Sequence, residues 1–186
     1  AQSAIAKKDY ASAARQYKAL LEIEPDDVLA LNNFAWVAGQ LKDPKALEYV
    51  ERADKLAPGN PAILDTFGML LMDKGDTARG VELLQRAVAA APNDAAIRLN
   101  LARALIKAGQ KDAARKELDT LAMLGDKFPA QTEVAKLILD TYGTLPVEKG
   151  DAARDVERLQ KAVAAAPNAA AIRLNLARAL IRAGQK

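Results

Sequence analysis

Residues 63–111 read ILDTFGMLLMDKGDTARGVELLQRAVAAAPNDAAIRLNLARALIKAGQK, and residues 138–186 read ILDTYGTLPVEKGDAARDVERLQKAVAAAPNAAAIRLNLARALIRAGQK, with 38 of 49 positions identical. The chain therefore carries a near copy of part of itself. Repetition of this kind predicts an array in which each unit buries its apolar face only against its neighbour, so that function resides in the surface the stack presents. The rest of the chain does not repeat at this level. Such close copies read as an engineered or recently duplicated repeat protein. The engineered reading is favoured, because the chain opens on Ala1 without a methionine and stops at Lys186, where the first copy runs on into Asp112.

The quoted stretch also sets the element type. Ile63, Leu64, Phe67, Leu70 and Leu71 fall on one face at helical period, and after Lys74-Gly75-Asp76 so do Val81, Leu84, Ala87 and Val88. Two amphipathic helices joined by a tight turn follow. Gly68 and Ala87 are small enough to let helix axes approach, and Asn93-Asp94 after Pro92 offers a cap to the next helix. Working outward, Pro25, Pro58, Pro92, Pro129 and Pro167 recur at intervals of 33, 34, 37 and 38 residues, each where a helix should stop. Midway between them Lys42-Asp43-Pro44, Lys74-Gly75-Asp76, Ala108-Gly109-Gln110 and Lys149-Gly150-Asp151 break the pattern. Each period is thus a pair of antiparallel helices, and the predicted fold class is all-α.

Composition agrees. The 186 residues are 51% apolar but only 4% aromatic, with much of the apolar content alanine, which suits close helix packing. Without cysteine or histidine there is no thiol nucleophile, no imidazole base and no soft or imidazole metal ligand. Serine occurs only at Ser3 and Ser12, and the carboxylates are spread along helices with no Gly-rich phosphate loop beside them. Neither an enzyme nor a cofactor is expected. The apolar runs are short and broken by charge, which predicts no membrane insertion, and no leader segment is evident. Net charge is +3, with 11 basic and 13 acidic side chains in residues 1–93 and 16 basic and 11 acidic in residues 94–186. That asymmetry falls short of a nucleic-acid footprint, and no aromatic residues interleave with the basic ones.

A hairpin with small, aromatic and proline positions at these offsets, carried here by Phe67-Gly68, Ala46, Ala87 and the terminal prolines, resembles the tetratricopeptide repeat. In the first unit Tyr10, Ala13, Tyr17 and Pro25 follow the family's second-helix pattern. The resemblance covers residues 1–128 and implies a right-handed solenoid of helix pairs. Residues 129–186 would then form a junction helix plus the near copy of residues 63–111, stacked on the same solenoid. Asn32-Asn33-Phe34-Ala35-Trp36, Asp43-Pro44-Lys45-Ala46-Leu47 and Gly75-Asp76-Thr77-Ala78-Arg79-Gly80 further resemble repeats of bacterial exopolysaccharide- or exosortase-associated lipoproteins. That narrower likeness implies an alternative to the engineered scaffold: a natural periplasmic interaction module of polysaccharide export or protein sorting. The sequence holds no lipobox cysteine to support a lipid anchor.

The resemblance also implies where a partner would bind, since in such arrays the first helix of each pair lines a concave groove. The outward candidates are Asn32, Asn33, Trp36 and Gln40 in the second unit, Asp65, Thr66, Met69 and Asp73 in the third, and Asn100, Arg103 and Lys107 in the fourth. Asparagine amides suit a peptide because they can pair with its backbone. Trp36, Met69 and Met72 at helical spacing also read as packing. Arg103 and Lys107, which recur as Arg178 and Arg182, read as a solvated face or as a site for a carboxylate-rich partner. The clamp by which chaperone-binding members grip a terminal carboxylate is not matched, because Asn32 and Trp36 stand where lysine and asparagine belong.

The copies also differ. Pro129 precedes Ile138 by nine residues, against five between Pro58 and Ile63, which predicts a helix from about Thr132 to Thr144. Thr144, Pro146, Asp155 and Arg158 stand where the first copy has Met69, Leu71, Gly80 and Leu83. Arg158 then requires polar surroundings, and Pro146 should end its helix early. Finally, Ala171–Ala183 repeats a first helix whose hairpin partner does not follow. Leu174, Leu176, Leu180 and Ile181 are therefore expected to mediate self-association unless Arg173, Arg178 and Arg182 solubilise that end.

Overall fold

Aspartate and asparagine decide where the helices begin. Asp9, Asp27, Asn60, Asp76 and Asp94 each accept, through a side-chain oxygen, a backbone N–H two or three residues ahead, the N-cap arrangement that satisfies an otherwise orphaned donor. In the computed structural model, which describes residues 1–122 and 130–142 and isolated positions between 156 and 164, the resulting helices are α1 (Gln2–Ala6), α2 (Tyr10–Ile23), α3 (Val28–Gln40), α4 (Ala46–Leu56), α5 (Pro61–Lys74), α6 (Thr77–Ala90), α7 (Ala95–Lys107), α8 (Lys111–Ala122) and α9 (Gln131–Tyr142). No strand occurs among the described residues.

The turn inside each pair repeats one geometry. Lys8, Lys42, Gly75 and Gly109 take left-handed backbone angles, with φ of 58°, 59°, 89° and 74°. The next residue's N–H then reaches back to a carbonyl five residues earlier: Asp9 to Ala4, Asp43 to Ala38, Asp76 to Leu71 and Gln110 to Leu105, at 2.9–3.0 Å. Three of these closing residues are aspartates: the carboxylates of Asp9 and Asp76 cap the following helix, and that of Asp43 accepts the N–H of Lys45, the residue just before α4. One residue thus ends one helix with its backbone N–H and leads into the next with its carboxylate. The glycine that Lys74-Gly75-Asp76 announces in sequence is replaced by lysine at positions 8 and 42, where the left-handed angle costs about 1–2 kcal/mol.

The chain divides into two units, Ala1–Ala104 and Leu105–Lys186. Within the first, consecutive helices pack antiparallel from α1 to α6, and the first helices of neighbouring pairs, α3 and α5, also touch. Its main core joins Leu31, Ala35 and Ala38 of α3, Val50 and Ala53 of α4, Ile63, Leu64, Phe67 and Leu71 of α5, Leu83 and Ala87 of α6, and Ile97 of α7. A second cluster holds Ala13, Tyr17, Ala30, Phe34 and Val37. Helices α5 and α6 approach each other closely. A Cβ added at Gly68 would lie 2.9 Å from the Gly80 carbonyl, and one at Gly80 would lie 2.9 Å from the Gly68 carbonyl and 2.8 Å from Met72. Gly80 is therefore the small residue that faces Gly68 where the helices meet, and Ala87 is fully buried in the main core.

In the second unit α8 packs on α9. Ala114, Leu118 and Leu121 line the buried stripe of α8, and Val134 is buried on α9. Helix α9 covers the described part of the lengthened junction, where sequence predicts helix from Thr132. Thr144, Pro146, Asp155, Arg158 and the expected self-association residues Leu174, Leu176, Leu180 and Ile181 lie outside the described residues.

Candidate functional site

Counting from the caps Asp27, Asn60 and Asp94 puts the first helices α3, α5 and α7 in register. Asn32, Asp65 and Leu99 share the fifth position after the cap. Asn33, Thr66 and Asn100 share the sixth, Trp36, Met69 and Arg103 the ninth, and Gln40, Asp73 and Lys107 the thirteenth. Every groove candidate thus falls in one of four rows. The rows differ in depth.

Gln40 and Asp73 are exposed, and Asn33, Trp36, Asp65, Met69, Asn100 and Arg103 are half-buried. Lys107 is exposed and belongs to the second unit. Two candidates are not outward. Asn32 is 7% exposed and Thr66 6%. The Thr66 hydroxyl turns back along its own helix and donates to the Ala62 carbonyl at 3.0 Å. The Asn32 Oδ1 is buried with no donor. Trp36 packs edge-on against Tyr10, ring centroids 5.7 Å apart at 82°, so it lends its inner half to the core and leaves its outer half for contact. Met72 is wholly core. Asp73 and Lys42 form a loose, exposed ion pair at 3.7 Å, worth under about 1 kcal/mol.

Between α5 and α7 three of the candidates meet. The Asn100 Nδ2 donates to both oxygens of Asp65 at 3.0 Å, and Arg103 Nη1 donates to the Asn100 Oδ1 at 2.9 Å. Arginine thus fixes the amide and the amide fixes the carboxylate. Burial pushes the Asp65 carboxyl up to about 6, against the opposing pull of the Asn100 hydrogen bonds; the Asp94 charge adds to the rise and Arg103 subtracts from it. Sequence placed these residues on one face but gave no sign of the link, which depends on which helices lie side by side.

Among the described residues no group of carboxylates could hold a metal ion, and no helix is long and apolar enough to cross a membrane. Helix pairs whose caps Asp27, Asn60 and Asp94 recur 33 and 34 residues apart, with left-handed turns in register, define a class: helical-hairpin repeat proteins. Residues 1–61 and 71–138 each match the tetratricopeptide repeat, and the chain belongs to that family, whose members are non-catalytic scaffolds that bind proteins or peptides. The chain is similar to cellulose synthase operon protein C of Komagataeibacter xylinus, 31% identical over 137 residues, covering 72% of this chain and 10% of that protein. Cellulose synthase 2 operon protein C of the same organism is 34% identical over 127 residues, 64% of this chain and 10% of that one. The chain spans about a tenth of the length of these relatives. In structure it resembles a thermophilic TPR protein of Thermus thermophilus, with a TM-score of 0.66 at 20% identity over 96% of this chain and 94% of that one. It also resembles YrrB, a TPR protein with an unusual peptide-binding site, with a TM-score of 0.65 at 15% identity over 93% and 86%. These two likenesses concern the fold.

Proposed function

We propose that the chain holds a partner peptide or protein on the face built by its first helices, with Asn33, Trp36, Gln40, Met69 and Asp73 as contact residues and the Asp65–Asn100–Arg103 group beside them. The observation that carries this reading is the register of α3, α5 and α7. It sets half-buried amide, aromatic and charged side chains in rows on adjacent helices, a pattern able to pair with a peptide backbone and grip its side chains. Peptides selected from a random library against the whole protein test it. Trp36→Ala and Asn33→Ala should each weaken the selected peptides about tenfold, a loss of about 1.4 kcal/mol, while Glu51→Ala on α4 should not. Equal binding by all three variants would move the site elsewhere.

Two origins fit such a scaffold. The near-identical copy at 138–186 supports an engineered repeat protein. The likeness to cellulose synthase operon protein C supports a module of a bacterial polysaccharide-export system. A genome in which one reading frame holds both copies beside cellulose-synthesis genes decides for the second; a genome with the first copy alone decides for the first.

A further inference from the structure

Asp65 is a carboxylate from which the fold gains little. It is half-buried, its hydrogen-bond donor is the neutral amide of Asn100, and among the described residues no lysine or arginine pairs with it. An asparagine in its place could accept from the same amide without the desolvation that ionisation entails. Yet the site is furnished to keep the carboxylate aimed: Asn100 spans both oxygens, and Arg103 holds Asn100 by its far end. An ionised carboxylate has about four lone-pair positions, and Asn100 uses two. Two charged groups act on Asp65 from nearby, Asp94 before α7 and Arg103 within it, one of each sign, so the carboxylate's own charge is left uncompensated.

We propose that Asp65 is the anchor for a basic side chain of the bound partner, an ammonium or guanidinium that enters beside α5 and takes the free lone pairs of a carboxylate already oriented by Asn100 and Arg103. This rests on the peptide-binding reading of the same face and names the partner's chemistry: a segment carrying a lysine or arginine, with apolar or amide-compatible residues alongside to meet Met69, Trp36 and Asn33. The cation supplies the charge the site lacks, so the desolvation of Asp65, already incurred on folding, is recovered on binding.

Carbon-13 NMR of the aspartate carboxyls in the whole protein, titrated between pH 4 and 8 at 0.15 M salt, tests this with tetralysine and tetraarginine as probes and tetranorleucine capped with solubilising serines as the uncharged control. A cation seated on Asp65 lowers its midpoint from about 6 by about one pH unit or more, and the carboxyl of exposed Asp112 serves as the reference for non-specific charge effects. The control moves neither. Asp65→Asn should lower tetralysine affinity about tenfold, and Asp65→Glu should restore part of it, which a purely structural role would not produce. An unmoved Asp65 midpoint, a shift matched by Asp112, or undiminished tetralysine binding by Asp65→Asn overturns the inference. Failure here with library peptides still sensitive to Trp36→Ala leaves the peptide-binding face standing; loss of both removes the face itself.

Discussion

The seam between α5 and α7 and the seam between α3 and α5 are built from the same positions and end differently. In the first, the sixth residue after the cap is Asn100, whose amide crosses to the fifth-position Asp65 of the preceding first helix. In the second, the sixth residue is Thr66, whose hydroxyl bonds its own helix, and among the described residues the fifth-position Asn32 Oδ1 is buried without a donor. Across α5 and α7 the fifth and sixth positions meet. Whether that meeting becomes a latch depends on one side chain long enough to span it and carrying an N–H.

The largest expected effect comes from breaking the latched seam. Asn100→Ala leaves the Asp65 carboxylate half-buried with no donor and should cost about 2–3 kcal/mol at pH 7. Urea unfolding should show a smaller loss near pH 5, where Asp65 is mostly protonated. Next comes the carboxylate itself. Asp65 holds its proton to about pH 6 in the fold against an ordinary value of 3.8, so the folded state binds the proton more tightly than the unfolded one. Its contribution to stability is fullest below about pH 4 and is lost as pH rises through 6. Asp65→Asn should remove that pH dependence and raise stability at pH 7 by about 2 kcal/mol. A variant that kept the slope would place the titrating group elsewhere.

Sharpening the unlatched seam is a smaller gain. Thr66→Asn gives the α3–α5 seam the donor that Asn100 gives its neighbour, and should stabilise the protein by about 1 kcal/mol in thermal unfolding. An unchanged Tm would mean that the two seams are spaced differently. The smallest effect lies where α3 and α5 end: Lys42 takes the left-handed angle that Gly75 takes after α5. Lys42→Gly should add about 0.5 kcal/mol, the relief of backbone strain being partly offset by the freer unfolded chain.

The pairs, their caps and their turns were legible in sequence because each depends on residues close along the chain: a proline stop, an aspartate three residues before a free N–H, an apolar stripe at 3.6. The depth of Asn32 and Thr66 was not legible. Helical spacing puts Asn32, Asn33 and Trp36 on one side of α3, but how far α5 covers that side is a property of the neighbour. Gly80 was missed as the partner of Gly68 for the same reason, since the crossing point of two helices is fixed by the register between them. Lys8 conceals a turn that glycine announces elsewhere, while at Lys42 the Asp43-Pro44 pair announces it; in both, the backbone N–H of the aspartate that follows closes the turn without a glycine.

The double duty of those aspartates has a kinetic consequence. When one residue closes a turn and starts the next helix, a hairpin can form from contacts close in sequence, with little loop entropy lost before they are made. The α5–α6 hairpin has the further advantages of an unstrained Gly75 and the Gly68–Gly80 crossing. Folding is therefore expected to begin in the middle of the first unit and spread outward pair by pair, with the lysine-turned hairpins joining later.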